Sequence, residues 1–508
     1  MNILKQLLEE IKSGKIKTKK ELAKRKRQLA KVEGGKLPEN SKIFELAQGS
    51  VRENVRKLLQ LKPTRTISGV AVVAVMSKPG PCPHGKCSYC PHVENVPESY
   101  TGKEPAARRG IANKFDPYKQ VQNRLQQLYA TGHLPEKVEL IIMGGTFLSY
   151  SQEYQEDFVK KCILAMNEFS LKKKPRKEKT LEEIQKANET AKIRCVGITF
   201  ETRADYAKEK HADFMLRLGG TRVELGVQTV YDDIYKKVNR GHTVADVIHA
   251  TQVLKDRGFK VLYHTMLGLP GSFPERDIAA FKEIFSNPDF MPDMLKIYPC
   301  LVIKGSEIYE DWKAGKYVPY NEKTAMDIIK EIKKSCPEWV RIMRIERDIP
   351  GTEIEAGIKS TNLRQLLGKT NCQCIRCREI GHRTARGIKF DWGSIKLHED
   401  IYKASGGEEH FLQFTDKNNT LLGFLRLRLN KTDVALVREL HVYGEQIPIG
   451  KKGEIQHQGY GQKLLQEAEK LAKKAGKKKI SVISGIGVRE YYKKFGYKFD
   501  GVYMSKCL

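Results

Sequence analysis

Short apolar, β-branched runs recur through the middle of the chain, and the positions between them fall at helical spacing. The runs are Val70–Met76, Val138–Met143, Arg194–Phe200, Arg222–Val227, Lys260–Met266 and Met294–Tyr298. Each is too short for a helix and rich enough in branched residues for a buried strand. Asp116–Tyr129 and Thr243–Lys255 carry the helical period between them. Strand–helix alternation of this kind predicts an α/β unit with a parallel sheet, closed as a partial (β/α)6 TIM-like barrel. From about residue 400 the texture changes. Glu409–Phe414 and Thr420–Leu429 predict a β-hairpin, Ala435–Val442 and Lys479–Ile483 strands, Gly459–Lys474 an amphipathic helix, and Tyr491–Lys494 a short helix. This is a second, separate α/β unit. Residues 1–66 have sparse apolar positions at helical spacing and predict a helical arm. The organisation expected is therefore an arm (1–66), a barrel (67–335), a Cys- and Arg-rich linker (336–399) and the second α/β unit (400–508). Ser170–Lys192, with its KKKPRKEK run, reads as a charged insertion and a solvated face.

Charge narrows the partners. The 508 residues hold 91 Lys and Arg against 61 Asp and Glu, a formal charge of +30. Such a surplus favours polyanions. Residues 1–66 contribute 18 basic and 7 acidic side chains, 18 − 7 = +11, which fits a phosphate-binding arm. No stretch approaches the ~20 apolar residues of a membrane helix. The start, MNILKQLLEEIKSGK, has charges where a signal peptide has its apolar core. A cytoplasmic protein without membrane contact is expected.

The 11 cysteines include two tight triplets. Cys82, Cys87 and Cys90 follow the first predicted strand with C-x4-C-x2-C spacing. Three thiolates can hold three irons of a 4Fe–4S cluster and leave one iron open to S-adenosylmethionine. A structural zinc site completed by His84 or His92 is the alternative. Polar residues end the later strands: Gly144, Gly145 and Thr146 in MGGTF, Arg203 in ETR, Gln228 in GVQ, and His264 in YHTMLGLPG. Lys296, in LKIYP, points to the same mouth by pattern. Strand C-termini are where such barrels build their sites. The second triplet, Cys372, Cys374 and Cys377, has no strand before it and reads as a structural zinc knot, with His382 or Cys336 as fourth ligand. A second iron–sulfur cluster is the other reading. Gln456, Gln458, Gly459 and Gly461 open the amphipathic helix and form an anion cradle suited to a pyrophosphate. The order strand, glycine loop, helix, strand resembles the GNAT acetyltransferases. Tyr491 and Tyr492 follow, one placed to give a proton to a leaving thiolate.

An iron–sulfur barrel fused to a GNAT unit resembles the catalytic subunit of Elongator, the tRNA uridine acetyltransferase family, as an archaeal-type stand-alone member. SYTGKEPAARRGIANKFDPY, LKIYPCLVIKGSEIYE, HQGYGQKLL and ISVISGIGVREYYKKFGY carry the likeness. It implies a cluster on Cys82, Cys87 and Cys90 that cleaves S-adenosylmethionine, and a radical that takes hydrogen from the methyl of acetyl-CoA. It further implies addition of that carbon to C5 of the wobble uridine, and thioester hydrolysis to a carboxymethyl group. The partners implied are the tRNA anticodon stem-loop and acetyl-CoA; whether the chain forms a homodimer is left open. The chain departs from the common C-x3-C-x2-C spacing and has GGT where such enzymes have GGE. The competing readings are a GNAT-type protein lysine acetyltransferase on a barrel scaffold, with Glu439, Glu445 or Glu454 as base, and a non-enzymatic RNA-binding module.

Overall fold

The computed structural model describes all residues except 1–2, 33–34, 36, 48–54, 57, 63–64, 170–178, 369 and 445–457. Seven parallel strands form the central sheet in the order of the chain. They are β1 (Ala71–Met76), β2 (Lys137–Met143), β3 (Arg194–Thr202), β4 (Arg222–Gln228), β5 (Lys260–Leu267), β6 (Met294–Pro299) and β7 (Arg341–Arg344). Helices between consecutive strands cover the outer face, and β1 and β7 stay unpaired as the edges of a half-barrel. Caps start several of these helices. Asp116 accepts from Lys119 N ahead of Pro117, and Thr180 and Thr243 each close a capping box.

Six strands were expected and seven are found. β7 lies inside the stretch assigned to the linker, so the barrel sheet runs past residue 335. Its sequence, RIMR, is four residues long with an arginine at each end, too short and too polar to show a strand pattern.

A second sheet has the order β13-β14-β12-β11-β10-β9-β8. Its members are β8 (Lys396–Ala404), β9 (Gly407–Thr415), β10 (Leu421–Leu429), β11 (Val434–Val442), β12 (Lys479–Val482), β13 (Lys498–Asp500) and β14 (Tyr503–Cys507). The hairpin, the helix Tyr460–Lys474 and the short helix Arg489–Lys493 lie where the pattern placed them. The second unit sits on the N-terminal rim of the barrel strands. Ile483 and Ile486 are buried in the barrel's own apolar core. Beside them is an ion network shielded from water. Arg438 binds Asp293 Oδ1 at 2.5 Å and Glu409 Oε2 at 3.0 Å, and Arg428 binds Glu409 Oε1 at 3.0 Å and Asp256 Oδ1 at 2.6 Å.

Helices Ile3–Lys12, Lys19–Val32 and Asn40–Leu46 form the arm, closed by a small core around Leu7, Ile43 and Phe44. The described end of the 170–192 insertion is not a solvated face. Helix Leu181–Asn188 buries Leu181 and Ile184, and Glu189 pairs with Arg489 of the second unit at 3.3 Å. Among the described residues no helix is long and apolar enough to cross a membrane.

Candidate functional site

The loop after β1 carries Cys82, Cys87 and Cys90 across the C-terminal ends of the strands. Backbone bonds tie it down: Ser88 N donates to Val238 O at 3.0 Å and Ile308 N to Ser88 O at 2.9 Å. Arg203, bridged to Asp205 at 2.9 Å, also donates to His84 Nδ1 and, at 2.9 Å, to Arg240 O. Arginine can only donate, so His84 Nδ1 accepts and its proton sits on Nε2. That Nε2 lies 3.2 Å from Cys87 Sγ, and Arg240 Nη1 lies 3.5 Å from the same sulfur. The Cys90 hydrogen bond, then His84 and Arg240, pull the Cys87 thiol down to about 2 against its burial. Cys90 and Cys82 are pushed up, Cys90 by its bond to Cys87 and by burial, Cys82 by burial.

The triplet fits a cluster better than a single ion. His84 is engaged with Cys87 and Arg203, and His92 turns away to Glu98 at 3.0 Å. Among the described residues, the groups of donors that lie within 4.8 Å of one another are Cys372–Cys374–Cys377 and Glu201–Glu224–His264, and the first triplet is not one of them. A thiolate already formed, cationic neighbours and no fourth protein ligand suit a cluster with one open iron.

Beneath the loop is a cavity of about 700 Å³, walled by the triplet together with Gly145, Thr146, Arg203, Gln228, His264 and Lys296. The expected site residues thus converge, with one exception. Gly144 backs the wall rather than forming it. At φ +123° a Cβ there would stand 2.2 Å from Ser77 Oγ. Gly145, at φ +67°, has open space where its Cβ would be. Gln228 holds φ +70°, unusual for its type, and its buried Oε1 has no hydrogen-bond partner.

Sequence reasoning named Lys296 and His264 but missed that Glu224, Glu201 and Tyr100 join them in a charged floor to this cavity. Lys296 Nζ lies 3.2 Å from Glu201 Oε1 and also bonds Glu224. His264 Nε2 meets Glu224 at 2.8 Å, and Tyr100 donates to Glu201 at 3.2 Å. Burial works against the Lys296 charge, but the Glu224 and Glu201 carboxylates outweigh it and hold the ammonium. Burial, then the Lys296 charge, pushes His264 down, so it is neutral. Glu201, Glu224 and His264 could hold a metal by spacing, but the Lys296 ammonium already supplies the cation there. Glu224 was legible in principle, being two pairs of residues from Gln228 on the same strand face.

A second cavity of about 620 Å³ opens at the other end of the strands. β11 and β12 pair only over Val434–Val437 and Lys479–Val482, and the rest of β11 splays away. Into this gap point Gly459, Gly461, Tyr491 and Tyr492. Gly459, at φ +84°, caps the helix Tyr460–Lys474, whose free N–H groups favour an anion. A Cβ on Gly461 would stand 2.6 Å from the Tyr491 hydroxyl, so glycine and tyrosine are coupled. Burial pushes Tyr491 up to about 12 and raises Tyr492 as well, so both hydroxyls keep their protons. Glu439 lines this cavity but is bound to Arg426 at 2.9 Å. Gln458 is exposed just before Gly459. Gln456, Glu445 and Glu454 lie outside the described residues.

In the linker, the sulfurs of Cys372, Cys374 and Cys377 lie within 4.8 Å of one another. Cys336 hydrogen-bonds Cys372 and pulls its thiol down. His382 instead faces Glu379 at 3.3 Å, which favours Cys336 over His382 as the fourth donor.

Three family models match the chain: the Radical SAM superfamily over residues 78–282, the Radical_SAM C-terminal domain over 292–370, and the Acetyltransferase (GNAT) family over 379–497. A tRNA uridine(34) acetyltransferase of Methanocaldococcus infernus is 51% identical over 533 aligned residues, covering 100% of this chain and 98% of the relative. Elongator complex protein 3 of Schizosaccharomyces pombe is 44% identical and covers 90% of this chain and 88% of its own length. The solved structure of archaeal Methanocaldococcus infernus Elp3 with N-terminus deletion (1-46) superposes with a TM-score of 0.77 at 50% identity, over 87% of this chain and 100% of that one.

Proposed function

Because the chain belongs to the family of tRNA uridine(34) acetyltransferases and Elongator complex protein 3, we propose that it modifies the wobble uridine of tRNA. It installs an acetyl-derived carboxymethyl group at C5, using S-adenosylmethionine and acetyl-CoA. The observation that carries this reading is the pair of cavities, of about 700 and 620 Å³, at the two ends of one set of strands. One is built for a thiolate-held cluster and the other for a pyrophosphate and a thioester.

Cys82, Cys87 and Cys90 hold the 4Fe–4S cluster, which when bound supplies the electron that opens S-adenosylmethionine. Arg240 and His84 keep Cys87 ionised for that task. Gly145 lets the backbone approach the ligand, and the unpartnered Gln228 Oε1 offers an acceptor for its amino or hydroxyl group. Thr146 and Arg203 flank Cys82 and His84, and His264 offers a neutral imidazole at the same mouth. Lys296, fixed as an ammonium, balances charge there and does not act as a base. At the other end the Gly459–Gly461 turn and its helix N-terminus receive the pyrophosphate, with Gln458 just before the turn. Tyr491, its hydroxyl protonated, lines the cradle and orients the thioester arm that leaves it, and the Tyr492 ring packs edge-on against the Tyr491 ring at 5.3 Å. Cys372, Cys374 and Cys377, with Cys336, hold a structural zinc between the barrel and the second sheet. The basic arm takes the phosphates of the anticodon stem-loop.

The test is anaerobic reconstitution with iron and sulfide, then tRNA, S-adenosylmethionine, dithionite and acetyl-CoA, followed by mass spectrometry of the nucleosides. Carboxymethyluridine is expected, and lost on Cys87→Ala and Tyr491→Phe. No modified nucleoside, with acetyl-lysine formed on a protein instead, overturns the reading in favour of a lysine acetyltransferase.

A further inference from the structure

The inside of the half-barrel is open along one side. On β1 the inward-facing Val72 is 39% exposed, whereas Val73 and Val75 on the outer face are fully buried. Glu139, Ile141 and Met143 repeat the half-buried inner row on β2. Closed barrels fill this space with layers of side chains. Here β1 and β7 are the free edges of the sheet. The two cavities therefore meet. Arg65, Val72, Arg222, Met343 and Arg376 are walls of both. Met343 sits at a register shift on β7, where the sheet locally loses its pairing.

We propose that this lumen is a passage through which the acetyl-bearing arm of acetyl-CoA threads from the Gly459–Gly461 cradle to the cysteine mouth. The proposal rests on the function given above. β4, from Arg222 to Gln228, runs ~20 Å, the distance that separates the two ends. A uridine carried on folded RNA is too bulky for the lumen and approaches from the mouth. The pantetheine arm is thin and uncharged, with amide and thioester carbonyls along it. The walls match that chemistry. Val72 and Met343 are apolar, and Arg222 supplies donors. Arg222 is buried, with Nη1 paired to Glu139 and Nη2 3.2 Å from Glu224 Oε1, and its Nε has no hydrogen-bond partner. A passing carbonyl would satisfy that Nε.

The first test needs neither cluster nor catalysis. In cluster-free Val72→Cys protein, alkylation of residue 72 by iodoacetamide is followed by peptide mass mapping. S-ethyl-CoA, a thioether that cannot hydrolyse, is expected at ten times its dissociation constant to slow labelling about tenfold. Adenosine 3′,5′-diphosphate, which fills only the nucleotide end, leaves the rate unchanged. Equal labelling with and without S-ethyl-CoA overturns the passage. The second test plugs it from either edge with Val72→Trp or Met343→Trp, with Val72→Ala as the widened control. In the plugged proteins carboxymethyluridine should fall about a hundredfold, while binding of adenosine 3′,5′-diphosphate by calorimetry and iron uptake per chain stay as in the wild type. Undiminished carboxymethyluridine in both plugged proteins overturns the passage. Wild-type protein that makes no carboxymethyluridine overturns the underlying function instead.

Discussion

At the scale of single residues, two contacts do most to define the chemistry. Gly461 and the Tyr491 hydroxyl share one volume, so even a methyl group at position 461 must displace the phenol. Gly461→Ala should lower carboxymethyluridine formation about a hundredfold, as is expected of Tyr491→Phe, while nucleotide binding measured by calorimetry holds. Cys87 is held down by the Cys90 hydrogen bond first, then by the His84 hydrogen bond and the Arg240 charge. Without Arg240 its thiol rises and depends more on the medium for its deprotonation. Arg240→Met should therefore take up less iron and sulfide per chain at pH 6.5 than at pH 8.5, whereas wild-type protein loads alike at both. Buried His242 titrates the other way. Burial pushes it down to about 4, whereas an unfolded imidazole titrates near 6.5. Between these values the unfolded chain holds the extra proton, so stability rises with pH across that window and is complete above it. Urea midpoints should fall as pH drops from 6.5 toward 4, and His242→Phe, packed against Tyr235, should flatten that slope. The cysteine spacing and the glycine loop were legible because they are local patterns. Arg240 and Tyr100 were not, because each is one polar residue whose neighbours come from distant strands and loops.

At the scale of elements, legibility followed burial. β1 to β6 and β9 to β12 show apolar alternation because at least one face of each packs against a core. β8, β13 and β14 escaped notice. β13 is exposed throughout and β8 carries Lys396, His398, Glu399 and Asp400 along a sheet edge, where polar residues protect against pairing with other chains. The contact between β11 and the start of β6 is electrostatic rather than apolar. Arg438 pairs with both Asp293 and Glu409, and both carboxylates are buried. Arg438→Met leaves two buried negative charges with less compensation and should cost about 3–5 kcal/mol in chemical denaturation. Replacing the pair by packed apolar side chains, Arg438→Met with Asp293→Leu, should cost less than the single change.

At the scale of the whole molecule, the N-terminal rim of a barrel usually serves stability alone. Here it is the floor on which the acetyltransferase sheet stands, and sequence reading, which treated the two units as separate, had no way to see that they share a core. The seat is cut to backbone precision. A Cβ on Gly485 would lie 2.0 Å from the carbonyl oxygen of Val196, and one on Gly487 2.5 Å from Arg194 Cβ. Backbone at the end of a central strand cannot give way, so Gly485→Ala should split thermal unfolding into two calorimetric transitions and abolish carboxymethyluridine formation.

That seat also limits how the chain can be recombined. A chimera that joins the barrel of one relative to the acetyltransferase sheet of another inherits Gly485 and Gly487 from one parent and the β3 backbone they rest on from the other. A crossover placed in the linker, at the apparent boundary between modules, therefore exchanges the wrong unit. The transferable piece is the sheet together with the bottom turn of β3, and shuffled libraries that keep those two together should be enriched among the survivors.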